Sequence, residues 1–448
     1  MQRSIGVPDR RPRIRGPARV RPWLLLFSVA LVLRIAYAWL ATGPDAQPYS
    51  DAADYDAIAW NLANDRGFSL GESAAPYPTA YRPPVVPWLT SLLYRAIGHE
   101  YFAAVLLQCV IGACVPLVLG RFAAAIFGGV VGELAAWLAA LNPLLVFFSG
   151  YLMTEIPFTA ILLLALFATT EWVKTPRTAR ALGVGMLWGV ASLTRPTALA
   201  LPALVALWAW VPLGLSVAPR ERTRQVVLVA LGLVLVIGPW TIRNALALRA
   251  FVPVTTGGGR AFLDSNNPLV WNDPARRGGA VSTYHLEPYA QEFSGLSEVE
   301  ADALAARRGR EFLAARVPEW PAMALAKLGR FWRLGAEAGG TGTWRRPDSP
   351  LGALTRRVDP LVVWSLVTLP FAIWGTVRVL RGPRRWFQSL TLLVILYFTV
   401  LAVVYWGSLR SRVAIEPLFA LLAAVGIDDM RRRLRARASG LRVVSARE

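Results

Sequence analysis

Lysine is almost missing from this chain: of 48 Lys and Arg together, only Lys174 and Lys327 are Lys. Such a bias points to GC-rich coding rather than to a binding preference. Cysteine is equally scarce, with Cys109 and Cys114 five positions apart in one apolar run. That spacing puts them on different faces of a helix, so neither a disulfide nor a metal site is indicated. The two histidines, His99 and His285, are too few for a His/Cys metal centre. Charge is low at 17% of residues, against 55% hydrophobic residues and 18 Trp. With a positive mean hydropathy, this balance excludes the two or three soluble domains that 448 residues could otherwise form. It is that of an integral membrane protein. No internal repeat and no pair of interrupted helices of the transporter kind is visible.

What is present is a series of apolar runs. A helix needs roughly 20 apolar residues to cross the hydrocarbon core. Ten runs meet that requirement, near 22–42, 101–120, 123–141, 153–172, 180–195, 196–215, 225–244, 360–380, 386–407 and 411–428. Asn142–Gly150 is too short and opens with Asn-Pro, so it reads as a broken or re-entrant helix. Residues 1–21 carry seven Arg and read as a disordered cytoplasmic leader, with the run after them an uncleaved anchor rather than a signal peptide. Cytoplasmic loops are enriched in Arg and Lys. With the N-terminus inside, every second loop is basic: Arg121, then Lys174/Arg177/Arg180, Arg220/Arg222/Arg224, Arg381/Arg384/Arg385, and the tail from Arg431. The net charge of +20 is largely accounted for by this rule, and nucleic-acid binding is not needed.

The expected organisation is therefore all-α and polytopic, about ten transmembrane helices plus the broken one. A leader (1–21) precedes an N-terminal transmembrane module (22–245), which contains an outer loop at 43–100. A mixed outer-side segment (246–358), three C-terminal transmembrane helices (359–428) and a basic cytoplasmic tail (429–448) follow. In the outer segment, Thr255–Gly259, Asn266-Asn267-Pro268 and Asn272-Asp273-Pro274 are turn signals. Ser297 with Glu300 reads as a capping box for a helix running to Arg316, and Pro318–Arg333 as an amphipathic run for the membrane interface.

The first outer loop holds the densest polar chemistry. Asp51, Asp54, Asp56 and Asp65 fall within its first residues, and it ends in Tyr81-Arg82-Pro83-Pro84. Tyr55, Ile58/Ala59 and Leu62 have helical spacing, which places Asp51 at or before the first turn of a surface helix. A carboxylate is favoured there by about 0.3–1 kcal/mol. Asp51 or Asp54 as a plain N-cap, Asp51 as a base for a hydroxyl, and Asp51 as a ligand of a divalent cation all fit the local sequence. The prolines after Arg82 restrict its backbone, so its guanidinium is suited to bidentate phosphate binding, the alternative being an arginine snorkelling to headgroups. Charges inside spans face a cavity or a partner. Glu155, Arg195 and Arg243 fall near the outer ends of their spans, beside the acid-rich loop, whereas Arg34 and Glu133 lie deeper and are expected to pair structurally. Gly257–Arg260 lacks the strand-to-helix context of a phosphate loop and reads as a turn.

These residues resemble a known pattern, that of the polytopic GT-C glycosyltransferases, in particular the dolichyl-phosphate-mannose protein mannosyltransferase-like and aminoarabinose-transferase-like bacterial enzymes. The likeness rests on Asp51-x-x-x-Tyr55, Arg82-Pro83-Pro84-x-x-Pro87, Asn142-Pro143 before Thr154-Glu155, and Thr194-Arg195-Pro196-Thr197. It continues in Gly238-Pro239-Trp240-Thr241-Ile242-Arg243-Asn244, Phe251–Thr255 with Asn266-Asn267-Pro268, and Arg410-Ser-Arg412 before Glu416-Pro417. The resemblance implies an inverting enzyme of the bacterial inner membrane, with both termini cytoplasmic and its site facing the periplasm or exterior. It would move a sugar from a polyprenyl-phosphate carrier to a lipid, glycan or protein acceptor. Under it, Asp51 is the catalytic acid-base group, Asp54 and Glu155 support it, and Arg82, Arg195 and Arg243 hold the donor phosphate, with Tyr55 and Tyr81 lining the loop. If a divalent cation (Mg or Mn) takes part, Asp51 and Glu155 are its ligands. The sequence departs from the protein mannosyltransferases in having Ala52 after Asp51, where they carry Asp-Glu, and Arg82 stands where aminoarabinose transferases have Lys. The rival reading is a flippase or transporter of lipid-linked sugars.

Overall fold

A computed structural model describes residues 20–71, 75–214, 216–335, 359–382 and 385–439. The expected leader up to residue 19, the stretch 336–358 of the outer segment and the end of the tail lie outside these residues. The chain is a helical, polytopic membrane protein. It runs through α1 (Val20–Ala41), α2 (Asp51–Ala63), α3 (Val85–Ile97), α4 (Tyr101–Phe127), α5 (Gly129–Leu141) and α6 (Pro143–Ser149). It continues with α7 (Glu155–Lys174), α8 (Thr178–Thr194), α9 (Leu201–Gly214) and α10 (Pro219–Leu248). Short helices follow: α11 (Gly258–Ser265), α12 (Pro268–Trp271), α13 (Tyr289–Phe293), α14 (Glu298–Ala314) and α15 (Trp320–Phe331). The last group is α16 (Pro360–Arg381), α17 (Arg385–Val404), α18 (Leu409–Arg412) and α19 (Glu416–Ala438). An antiparallel pair of two-residue strands, β1 (Ser69–Leu70) and β2 (Tyr77–Pro78), is the sheet among the described residues.

Seven helices are long and apolar enough to cross a membrane, or eight if α5 and α6, bent by 54° at Asn142, form one broken span. The expected break at Asn142-Pro143 is thus present. Asn142 caps α6 by accepting from the backbone N–H groups of Leu144 and Leu145, and its amide donates to Glu416 at 2.7 Å. Two of the ten expected spans fall outside this set. α8 is 17 residues long, and the second half of α19 is charged. The expected boundary at 121–122 is displaced. α4 runs unbroken through Arg121 and stops at Gly128, whose φ of 99° is open to glycine and strained for other residues.

Close helix crossings come from glycine. A Cβ on Gly185 of α8 would lie 2.0 Å from the Val229 carbonyl oxygen of α10, and one on Gly232 of α10 would lie 2.2 Å from that of Leu182. α16 and α19 cross in the same way at Gly375 and Gly426. In a bilayer, where burial of apolar surface does not drive helices together, such backbone approach supplies the packing. The expected pairing of Arg34 with Glu133 does not form: Arg34 is fully buried and donates to the carbonyls of Ala30 and Ala140, while Glu133 is exposed.

Basic residues gather at one end of the bundle. Lys174 donates to the Ala125 carbonyl at the end of α4, and Arg224 to the Thr178 hydroxyl at the start of α8. The opposite end carries α2, α3, the start of α7, the end of α8 and the short helices α11–α15. That end holds the site.

Candidate functional site

α2 begins at Asp51, and the bland N-cap reading fails there. The N-cap residue is Ser50, with φ 52° and no side-chain cap bond, and neither Asp51 nor Asp54 caps the helix. Their oxygens go elsewhere. Asp51 Oδ1 accepts from Arg82 Nη2 at 2.5 Å, and its Oδ2 lies 2.5 Å from Arg410 Nη1. Arg82 turns its Nε and Nη2 onto Asp54 Oδ2 at 2.9 and 2.7 Å. Arg410 Nε reaches Glu155 Oε1, which also lies 3.0 Å from Arg195 Nη1. Asp54, Arg82, Asp51, Arg410, Glu155 and Arg195 therefore form one chain of six alternating charges.

Each member is presented by a local backbone device. Pro83 and Pro84 lead straight into α3, fixing the turn that carries Arg82. Pro196 forces the residue before it into extended backbone, so α8 ends at Thr194 and Arg195 (φ −149°, ψ 116°) swings onto Glu155. Glu155 is the first residue of α7 and fully buried, where the helix N-terminus favours a carboxylate. Arg410 lies in α18, whose N-cap Ser408 accepts from the Ser411 N–H.

The electrostatics follow from this geometry. Burial by itself would push the Asp51 carboxyl up, but Arg410 and Arg82 outweigh it and hold it well below the usual carboxylate range. The guanidinium groups of Arg82 and Arg410 are raised in turn, burial opposing and the nearby tyrosines and acids prevailing. Among the described residues, Glu155 Oε2 is buried without a hydrogen-bond partner. Arg410 stands between Asp51 and Glu155, the two carboxylates considered for a divalent cation. Among the described residues no three ligating side chains cluster.

Of the other sequence candidates, Arg243 does not join the chain of charges. It donates to the carbonyls of Thr79 (2.6 Å) and Phe68 (2.5 Å) and lies over the rings of Phe68 and Trp240. It braces the strand that leads to Arg82. Asp56 is a support: it accepts from the Tyr94 hydroxyl at 2.5 Å and contacts His99 Nε2 at 2.9 Å, tying α2 to α3. Tyr55 and Tyr81 flank Arg82, whose guanidinium carbon lies 5.4 and 4.5 Å from their ring centres.

The first loop is also clamped by the segment that follows α10. Glu298, at the start of α14, accepts from Thr79 Oγ1 (2.5 Å), the Ala80 N–H (2.9 Å) and Thr256 Oγ1 (2.5 Å). Thr79 Oγ1 in turn accepts from the Tyr81 N–H. α14 carries the expected Ser297/Glu300 capping box. Gly257–Arg260 is the start of α11 rather than a plain turn, and Asp302 accepts from the N–H of Arg260 there. Arg410 and Glu298 are the residues that reading the sequence did not assign to the site. Arg410 was visible in Arg410-Ser-Arg412, but only the fold separates the two arginines. Arg412 pairs with Glu416 and donates to the Phe331 and Arg333 carbonyls, away from Asp51.

The dolichyl-phosphate-mannose-protein mannosyltransferase family matches residues 81–242, which include Arg82, Glu155 and Arg195. No curated protein sequence matches the chain. In structure it is similar to the archaeal oligosaccharyltransferase AglB from Archaeoglobus fulgidus, determined with an inhibitory peptide and a dolichol-phosphate. The TM-score is 0.56 at 12% identity, over 96% of this chain and 53% of that one. The same enzyme with Zn and sulfate gives 0.55 at 14% identity, over 93% and 50%. ArnT from Cupriavidus metallidurans, bound to undecaprenyl phosphate, is matched over 94% of this chain and 80% of that one at 16% identity, with a TM-score of only 0.42. The chain spans about half the length of the archaeal structures. At these identities the likeness to AglB establishes the fold, which is of the GT-C type.

Proposed function

We propose that this protein is a glycosyltransferase that moves a sugar from a polyprenyl-phosphate carrier to an acceptor at the membrane face opposite its basic loops. The observation that carries the reading is the chain Asp54–Arg82–Asp51–Arg410–Glu155–Arg195, three carboxylates and three guanidinium groups converging at one end of an apolar bundle. The mannosyltransferase family match over residues 81–242 and the dolichol-phosphate held in complex by AglB support it.

The arrangement suggests a division of labour. A carrier phosphate entering from the bilayer competes with Asp51 for Arg82 and Arg410, since guanidinium groups bind phosphate and carboxylate by the same bidentate geometry. As those guanidinium groups turn to the phosphate, Asp51 loses the charges that keep its proton affinity low. It then takes the proton of the acceptor hydroxyl, which requires an approach of about 2.6–3.2 Å. The acceptor oxygen attacks the anomeric carbon from the face opposite the phosphate, the carbon–oxygen bond to phosphate breaks, and the configuration inverts. The leaving phosphate gains negative charge beside Arg82 and Arg410, by then turned to it, and Arg195, which stabilise that charge. Arg243, whose N–H groups serve backbone carbonyls, positions the loop.

The test is acceptor-dependent release of undecaprenyl phosphate from a panel of undecaprenyl-phosphate sugars by the full chain in liposomes. Asp51→Asn should reduce turnover by about 10²–10⁴-fold, the usual worth of a general base. A flippase would instead move the labelled lipid between leaflets with no cleavage of the sugar–phosphate bond, and that outcome would displace the present reading.

A further inference from the structure

Arg82 belongs to a second alignment besides the chain of charges. Its guanidinium carbon lies over Tyr55 (5.4 Å) and Tyr81 (4.5 Å), and that of Arg260 lies over Tyr81 (4.5 Å) and Tyr284 (4.0 Å). Tyr55, Arg82, Tyr81, Arg260 and Tyr284 thus alternate ring and cation, running from Asp51 out into the segment that follows α10. The two guanidinium groups share the Tyr81 ring, so they are no further apart than the sum of their distances to its centre.

The two arginines differ in what their N–H edges face. Arg82 is engaged by Asp51 and Asp54. Arg260 has no carboxylate within ion-pair distance among the described residues, and the nearby acids are already committed. Asp302 accepts from the Arg260 backbone N–H, and Asp264 Oδ1 accepts from the N–H and hydroxyl of Thr283 at 2.9 and 2.7 Å. Arg260 is therefore a partly buried cation, held by aromatic faces, with its donors open. Stacking of a guanidinium on rings leaves its in-plane donors available, and those donors match the oxygens of a phosphate. Tyr284 is 37% exposed and the adjoining Tyr77 is 55% exposed, so the approach is open and lined by rings.

We propose that Arg260, with Tyr81 and Tyr284, is a second oxyanion-binding site, which takes a phosphate group of the substrate beyond the one held at Arg82 and Arg410. The inference rests on the donor reading above. The phosphate has two chemical sources: the second phosphate of a diphosphate carrier, or a phosphate borne by the acceptor.

The experiment is protection of individual arginines from phenylglyoxal in the full chain, reconstituted in phosphatidylcholine nanodiscs and read by peptide mass spectrometry. The probes are undecaprenyl phosphate, undecaprenyl diphosphate, and inorganic phosphate in solution. Arg260 should be modified readily in the absence of probe, because its edge is unpaired. Several-fold protection of Arg260 by undecaprenyl diphosphate but not by the monophosphate assigns the oxyanion to the carrier. Protection by inorganic phosphate with no effect of either lipid assigns it to the acceptor. Lack of modification without probe, or modification unaltered by all three, overturns the site. Arg82 and Arg410 report separately on the donor reading: if neither lipid protects them, that reading fails whatever Arg260 does.

Discussion

Asp51 sits between two guanidinium groups, and its proton affinity is set by what those groups face. In the folded protein burial opposes its charge, but Arg410 and Arg82 prevail and hold its carboxyl below the usual range. The linkage has a definite sign. A depressed carboxylate adds stability that is present above its unfolded value of about 3.9 and is lost as pH falls toward the folded one. Thermal unfolding of wild type against Asp51→Asn should therefore show a wild-type advantage that is flat from neutral pH to about 4 and shrinks below. An advantage that fades between pH 7 and 5 would mean that Asp51 is not held by its arginines. At this scale the sequence was legible where a residue's neighbours are fixed by proline. Arg82 before two prolines and Arg195 before Pro196 could be singled out because the local backbone aims them. Arg243 could not be told from them. Its place near the end of an apolar run is like that of Arg195, and only folding shows that its donors go to Thr79 and Phe68.

At the scale of elements, Glu298 of α14 ties the segment after α10 to the first loop, and Lys327 of α15 ties it to Asn266 and to the Val404 carbonyl at the end of α17. Glu298 serves three donors on two separate segments. Glu298→Ala strands them, at about 1–3 kcal/mol for each buried group left unpaired. It should lower both the unfolding temperature and the turnover. Glu298→Gln keeps one acceptor oxygen and should fall between. If Glu298→Ala lowers the unfolding temperature without reducing turnover, the clamp does not position Arg82. On α15, Lys327 is 3% exposed, donates to Asn266 Oδ1 at 2.9 Å, and is lowered by burial to about 8. Between that value and the 10.5 of an unperturbed lysine, the unfolded chain holds a proton that the folded chain has released. Stability must then rise with pH. Across that interval wild type should gain on Lys327→Met, and a constant difference would show that Lys327 titrates normally. The helices themselves were readable from apolar length, and the α14 capping box from Ser297 and Glu300. One boundary and one crossing were not. α4 carries Arg121 inside its run, so a charge there did not mark a loop, whereas Gly128 did end the helix. The Gly185–Gly232 crossing depends on two helices meeting, which hydropathy along one chain does not encode.

For the whole molecule, the organising fact is the separation of two kinds of charge. Arginines at one end of the bundle are solvated or paired on the surface. At the other end Arg82, Arg410 and Arg195 alternate with Asp54, Asp51 and Glu155. The rule that basic loops stay in the cytoplasm then predicts orientation. Single cysteines at positions 284 and 433, in a chain freed of Cys109 and Cys114, should be labelled from opposite sides by a reagent that does not cross membranes. In intact cells position 284 should react and position 433 should not, and labelling of both from one side would contradict the proposed topology. The resemblance visible in the sequence carried the fold class this far because its motifs fall at helix ends, which the fold brings to one place. What it did not carry was the balance within the site, since Arg410 lies more than three hundred residues from Asp51, the acid it joins on the first loop. That balance is the central claim: carrier phosphate and Asp51 compete for the same guanidinium groups. Its most direct test is the affinity of undecaprenyl phosphate for the full chain in nanodiscs, wild type against Asp51→Asn. Removing the competing carboxylate charge should tighten binding of the carrier even as transfer is lost. Weaker binding by the variant would contradict the account.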